Sequence, residues 1–248
     1  PPPPPPPPPP SFFFNEQEGI RDFCLSRGLG DVYKRQIEYV GPAAKAAVSE
    51  GKMENWLLRR VAKNSRYNAG FSHIAIWVAT NPEPSWTQVW EKAYPNLSAD
   101  ARSWIYGKGE ELYSTVYNAN CEYIAGFLRD PSTIPNIAIF NLIKSKKYNA
   151  YIEQEKDAKD IFEKHAKGIE GWHVMKRKGM VVNSEGAWDM VTIDLFDTWE
   201  KANQNWWSEI PRNVMKKHNE KHGSDLREIR HRVMTGLLFD ARTEKKED

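Results

Sequence analysis

From residue 137 onward the apolar positions switch repeatedly between the two periods that distinguish strands from helices. Residues 137–143 form an apolar run broken only by Asn141, and predict a strand. Tyr148, Tyr151, Ile152, Ala158, Ile161, Phe162 and His165 then recur at helical spacing, with Glu155 on the same stripe, and predict a long amphipathic helix ended by Gly168. Residues 172–177 and 189–196 read as two strands of a hairpin. Asp197 with Glu200 three positions later predicts a capping box and a helix to about Ile210. Pro211 predicts the opening of a further helix through Lys221, residues 225–229 a short helix, and residues 233–239 a closing strand.

A weaker copy of this pattern lies upstream. Met53/Ile169, Glu54/Glu170 and Trp56/Trp172 share one offset of about 116 residues, which predicts a tandem repeat. Residues 42–50 predict a short alanine-rich helix with Pro42 in its first turn, and residues 56–61 and 73–80 a hairpin around a turn at 64–70. Ser85 and Gln88 predict a cap for a helix through Ala93; helical material is expected at 98–106 and 110–118, and a last strand at 121–128. WEKA occurs at 90–93 and at 199–202, but the capping residues instead align Trp86 with Trp199, and that alignment is preferred because capping sets helix starts. Each repeat thus reads strand, helix, strand, strand, helix, strand, the ferredoxin-like α+β plan. The expected organisation is a first repeat over 37–130, a second over 131–242 and a charged tail at 243–248.

Composition narrows the function classes only a little. With 248 residues, 40% of them hydrophobic, a sizeable core can be buried, and a net charge of +2 gives no reason to expect nucleic acid. No run approaches the roughly 18 apolar residues of a membrane span, and no charged-then-apolar leader opens the chain. Cys24 and Cys121 make neither a disulfide framework nor a metal site.

Residues 1–36 stand apart. Ten prolines precede Phe12–Phe14, and residues 24–36, CLSRGLGDVYKRQ, resemble the translation of a sequencing-library adaptor. This segment is expected to be disordered and non-native. The first repeat's opening strand belongs near residues 21–27, so that repeat is expected to be truncated at its N-terminus.

The strand containing Asn141, the tyrosine-rich helix, GIEGWHVMKR, DMVTIDLFDTWEKA and the late strand together resemble the dimeric α/β-barrel superfamily, and within it the NIPSNAP-like duplicated proteins of Bacteroidetes. The resemblance spans about residues 37–242 and is stronger in the second repeat. It implies two sheets of one chain facing each other as an intrachain pseudo-dimer around an interior able to hold a small molecule, with no cofactor. It also implies a bacterial protein, with secreted or periplasmic relatives. Haem, known on related barrels, would need an axial ligand, and only His173 is placed for it.

Strand parity selects the candidate site. Val191, Ile193 and Leu195 share one face of a strand, and Ala138, Phe140 and Leu142 a face of another; these apolar rows are expected beneath the helices. The opposite faces offer Asn141, Thr192 and Asp194, joined by His173, Met175 and Arg177 or their alternates. Neutral imidazole, carboxylate and amide on adjacent strands can orient a ligand or move a proton, with His173 and Asp194 as the candidate catalytic pair and Asn141, His173, Thr192 and Asp194 as ligand contacts. The competing reading is a hydrogen-bonded network that only satisfies itself. In the first repeat the corresponding positions are expected to include the apolar Ile76 and Val78, which makes the site asymmetric.

Weaker signals are set aside. His218 and His222 are one helical turn apart, but among lysines they read as a solvated face rather than a zinc site. Gly107 and Gly109 lack the third glycine of a phosphate loop. The tryptophans read as core, and Glu155 as either a buried carboxyl or one half of an ion pair. Two hypotheses follow: a module that binds a small molecule or self-associates, and a cofactor-independent monooxygenase- or isomerase-like enzyme. A roomy barrel interior favours the enzyme, and a filled one favours the module.

Overall fold

The computed structural model describes residues 20–27, 30–62, 71–79, 86–111, 114–179 and 187–242, with side chains for 34–62, 71–78, 86–108, 118–179 and 187–242. The elements run β1 (Ile20–Arg27), α1 (Gly30–Ser49), β2 (Met53–Val61), β3 (His73–Ala79), α2 (Trp86–Ala93), α3 (Ala99–Glu111) and β4 (Ser114–Leu128) in the first half. The second half is β5 (Ile137–Ser145), α4 (Tyr148–His165), β6 (Gly171–Arg177), β7 (Met190–Phe196), α5 (Trp199–Asn203), a 3-10 helix (Trp206–Glu209), α6 (Arg212–His222) and β8 (Arg227–Asp240). All strand pairs are antiparallel, and they close into a barrel in the order β1-β3-β2-β8-β5-β7-β6-β4.

Closure gives the sheet an inside and an outside. Leu57, Ile74, Ile76 and Val78 of the first half meet Phe140, Met175, Val191, Ile193 and Val233 of the second in one apolar cluster, which therefore fills the barrel. Outside, Ala43, Ala47, Trp56, Leu58 and Ala75 form a cluster under α1 and α2, and Ile139, Ile143, Tyr151, Phe162, Trp172 and Trp206 form another under α4 and the 3-10 helix. The expectation that Ala138, Phe140, Leu142, Val191, Ile193 and Leu195 lie beneath helices is therefore corrected: these rows line the interior. A closed barrel excludes water from its inner face on every side, so its wholly apolar rows belong there.

Several boundaries also differ from expectation. The first half is not missing its opening strand: β1 pairs with β3 on one side and β4 on the other. Those two strands would otherwise expose unpaired backbone groups to each other across a gap. Residues 20–27 and 30–36 thus belong to the described structure, whereas Pro1–Pro10, Phe12–Phe14, the 64–70 turn, Ser85 and the 243–248 tail lie outside the described residues. Helix α1 begins well before Pro42, which sits in its interior. Proline removes the hydrogen bond that Glu38 would receive. The Tyr94 hydroxyl donates instead to the carbonyls of Glu38 at 3.2 Å and Tyr39 at 2.8 Å. Residues 114–118 and 227–229 are strand rather than helix, since β4 and β8 run long enough to serve both halves. The α5 cap is Thr198, whose hydroxyl accepts from the Lys201 amide, one residue beyond the expected Asp197. Helices α2 and α5 nevertheless start at Trp86 and Trp199, the alignment that capping favours.

The connection between the halves is fastened by Arg59, which is 1% exposed. It donates through Nη1 to the Asn136 carbonyl at 3.1 Å and through Nη2 to the Pro135 carbonyl at 2.8 Å. Burial pulls its pKa down to about 10, opposed by nearby Asp240, so it stays charged at neutral pH. Arg59→Met is expected to destabilise the protein by about 3 kcal/mol, because it leaves the Pro135 and Asn136 carbonyls without their donor at a buried position. Urea unfolding checks this, and an unchanged midpoint would show that the connection does not depend on Arg59.

Candidate functional site

Three polar side chains interrupt the apolar outer face of the second half's sheet. Asn141 on β5 lies opposite Thr192 on β7, and its Nδ2 donates to Thr192 Oγ1 at 3.1 Å and to Asp194 Oδ2 at 3.2 Å. As parity predicts, all three share a face opposite Val191 and Ile193. That face points away from the barrel interior, toward α4 and the segment after α5.

A cavity of about 300 Å³ opens there. Its floor is Asn141, Thr192, Asp194 and Trp172; Glu155 and Phe162 of α4 form one wall, and Asn203, Gln204, Asn205, Trp206 and Trp207 another. Trp206 is buried and stacks on Trp207 at 4.5 Å, while Phe162 meets both tryptophans edge to face. Arg227, Ile229 and Arg232 of β8 complete the lining. A strand places every second residue on one face, so 229 and 232 should point oppositely. A register shift between Leu142 and Ile143 of β5 resolves this, since Ile143 pairs with Ile229 and Asn141 with Arg232. The extra β8 residue is a bulge, a common device for re-aiming side chains.

One charge pair lies in the cavity, with its carboxylate buried and its guanidinium partly exposed. Arg227 Nη1 donates to Glu155 Oε1 and to the Tyr151 hydroxyl, each at 2.9 Å. Burial pushes the Glu155 carboxyl up and Arg227 opposes it. Glu155 is therefore both of the things its sequence position allowed, a buried carboxyl and an ion-pair partner. Asp194 is pushed up to about 6, chiefly by burial, with the Asn141 hydrogen bond and the Arg232 and Arg227 charges opposing. A carboxyl that exchanges its proton near neutral pH, beside an amide and a hydroxyl on a cavity floor, can accept a proton from a bound molecule.

His173 does not join this group. Trp172 pairs with Asp194 across the hairpin and shares its face, whereas His173 pairs with Ile193 and faces the interior, packing edge to face on Tyr123. The expected His173–Asp194 base and orienter are on opposite sides of one sheet. Among the described residues, the interior pocket beside Phe140, Trp188 and Val191 measures about 10 Å³. No histidine lines the outer cavity, so none is placed there as an axial ligand to haem.

Sequence reasoning missed the second wall and the arginines. The available signals were the run Asn203–Trp207, three amides before two tryptophans, and three arginines within six positions at 227, 230 and 232. Of the secondary candidates, His218 is buried rather than solvated, and His222 Nε2 lies 2.7 Å from Asp157 Oδ2 on α4. Among the described residues no three His, Cys, Asp or Glu side chains group to hold a metal. Gly107 lies within helix α3, so no phosphate loop forms there.

Pairing register also identifies the first-half counterparts. Trp56 pairs with Trp77 as Trp172 pairs with Asp194, and Leu58 with Ala75 as Val174 with Thr192. The counterparts of Thr192 and Asp194 are thus Ala75 and Trp77, rather than the interior-facing Ile76 and Val78. Trp77 packs against Trp56 at 5.4 Å and Trp86 at 5.8 Å, filling the space that Asp194 leaves open.

Since folding raises the Asp194 pKa, its contribution to stability is full below the ordinary value of 3.8 and is lost as pH rises toward 6. Wild type is expected to lose on the order of 2–3 kcal/mol relative to Asp194→Asn across that window. Parallel stability–pH curves for the two proteins would contradict the raised pKa.

No family model matches the chain, and no curated protein matches its sequence. Solved structures do match. A candidate monooxygenase from Lactobacillus acidophilus superposes with a TM-score of 0.51 at 12% identity, covering 90% of this chain and 93% of the other. An anthrone oxidase-like protein gives 0.50 at 10% identity, covering 91% and 93%. A candidate chlorite dismutase gives 0.50 at 10% identity, covering 90% and 96%. At these identities the likeness shows the architecture alone: the chain has the ferredoxin-like α+β-barrel fold of these proteins.

Proposed function

We propose that the chain is a small-molecule-binding protein whose site is the cavity between the outer sheet face of the second half and the Asn203–Trp207 segment. The observation that carries this is the contrast at one structural position: Trp77 fills the space in the first half, and Asp194 leaves it open and polar in the second. A cavity of about 300 Å³ with aromatic walls and a few converging polar groups is at the small end of ligand pockets. The same element order and matching hairpin registers support a tandem repeat, with the two ferredoxin-like units forming a pseudo-dimer within one chain. The filled interior supports a binding module over an enzyme working inside the barrel.

A second reading rests on Asp194. Its readily exchanged proton suits a general base in cofactor-independent chemistry of the monooxygenase or isomerase kind, with Asn141 and Thr192 as positioning residues. In that case Asp194→Asn abolishes turnover while the protein stays folded.

Native mass spectrometry of the purified protein tests the binding reading. Wild type is expected to carry a non-covalent small-molecule mass, and Asp194→Trp, which copies the first half, is expected to lose it with its circular dichroism retained. An equal bound mass in the variant would place the ligand elsewhere.

A further inference from the structure

The cavity lining calls for hydrogen bonds of both senses. Ionised carboxylates only accept, the two guanidinium groups only donate, and the amides of Asn141 and of the run 203–205 do both. These groups are spread around the space rather than gathered at one point. Asn141 and Asp194 lie on the floor, Glu155 on the α4 wall, and Gln204 and Asn205 at exposed positions on the other wall.

Charge in the lining is balanced from within. Among the described residues it consists of two carboxyls and two guanidinium groups, and neither guanidinium lacks a partner. Asp194 is held in turn by Asn141. A charged ligand would have to displace part of that balance. A wholly apolar one would strip water from the polar groups without replacing its hydrogen bonds. A neutral molecule with several hydroxyls meets neither cost, because each hydroxyl both donates and accepts. Aromatic surface supplies the rest: Trp172 lies on the floor, and Trp207, stacked on Trp206, is still 39% exposed at the edge of the cavity. An indole can cover the C–H face of a pyranose ring while the hydroxyls around that ring reach sideways to polar groups.

We propose that the cavity takes one pyranose ring of a neutral sugar, its C–H face against indole and its hydroxyls on Asp194, Asn141 and Gln204. This rests on the binding reading above and names its ligand class. One hydroxyl donates to the Asp194 carboxyl, whose Oδ2 already accepts from Asn141, and another meets the Gln204 amide on the far wall. The ring is thereby held at two sides, and the existing Glu155–Arg227 pair stays intact.

Saturation-transfer NMR titrations of the full chain test the class with methyl glucoside, methyl galactoside and methyl mannoside. Three probes of the same ring size serve as controls: glucuronate, protonated glucosamine and cyclohexylmethanol. At least one neutral glycoside is expected to bind about tenfold more tightly than every control. Gln204→Ala, at an exposed position, is expected to weaken that glycoside about three- to tenfold and to leave cyclohexylmethanol unchanged. Asp194→Trp is expected to abolish binding of both. A control that binds as tightly as the best glycoside, or a glycoside indifferent to Gln204→Ala, would overturn the sugar assignment. Glycoside binding that persists in Asp194→Trp would overturn it too, by putting the sugar outside the cavity. If no probe binds while native mass spectrometry still finds a small molecule that Asp194→Trp loses, the sugar assignment falls and the binding reading stands; if neither is seen, both fall.

Discussion

Everything in this structure depends on the sheet being closed by two seams between the halves, β2 with β8 and β4 with β6. Each half by itself is a four-stranded sheet with two free edges and an uncovered apolar face. Joined, the edges disappear and the two faces seal one another, so the inner surface needs no cover and the outer surface needs helices. The β4–β6 seam is especially close. A side chain at Gly126 would begin 2.4 Å from the Trp172 carbonyl, and one at Gly171 would begin 2.7 Å from the Phe127 carbonyl. Those two positions accept no Cβ because the backbones meet there.

The site is a consequence of the same closure. With most of the inside committed to apolar packing, the Asn141–Thr192–Asp194 group is left to the outer face, where helices shield it without sealing it. In the first half the alanine-rich α1 lies close on the sheet, and Trp77 and Trp86 occupy the remaining volume. In the second half the short α5 and the 3-10 helix stand off from the floor. The Glu155–Arg227 pair and the Asn141–Asp194 hydrogen bond then keep the buried polar floor from being a set of unpartnered groups.

The sequence displayed period and parity well and displayed direction poorly. Residues 148–165 show an uninterrupted helical stripe, and α4 occupies that range. Alternation in residues 190–196 correctly put Thr192 and Asp194 with Asn141. Parity, however, says which residues share a face and is silent on whether that face looks inward, which is why the apolar rows expected beneath the helices line the interior instead. The placing of His173 fails for a related reason: hairpin register sets which residue of β6 stands opposite Asp194, and a connection as long as 178–189 does not fix that register. The β8 bulge was invisible because an extra residue leaves no mark in local pattern; it shows only against the partner strand. Pro42 misled because its lost hydrogen bond is made good by Tyr94, more than fifty residues away.

The pairing of Leu57–Val61 with residues 235–240 joins positions nearly as far apart as the described chain allows. Until β8 is in place, β2 keeps a bare edge and the inner faces of both sheets lie open to water. Local pairing therefore cannot complete this protein in stages, and its folding rate is governed by the search for one distant strand. A chain interrupted before β8 would present a wide apolar surface and an unpaired edge together, the combination that draws nascent chains into aggregates or onto chaperones.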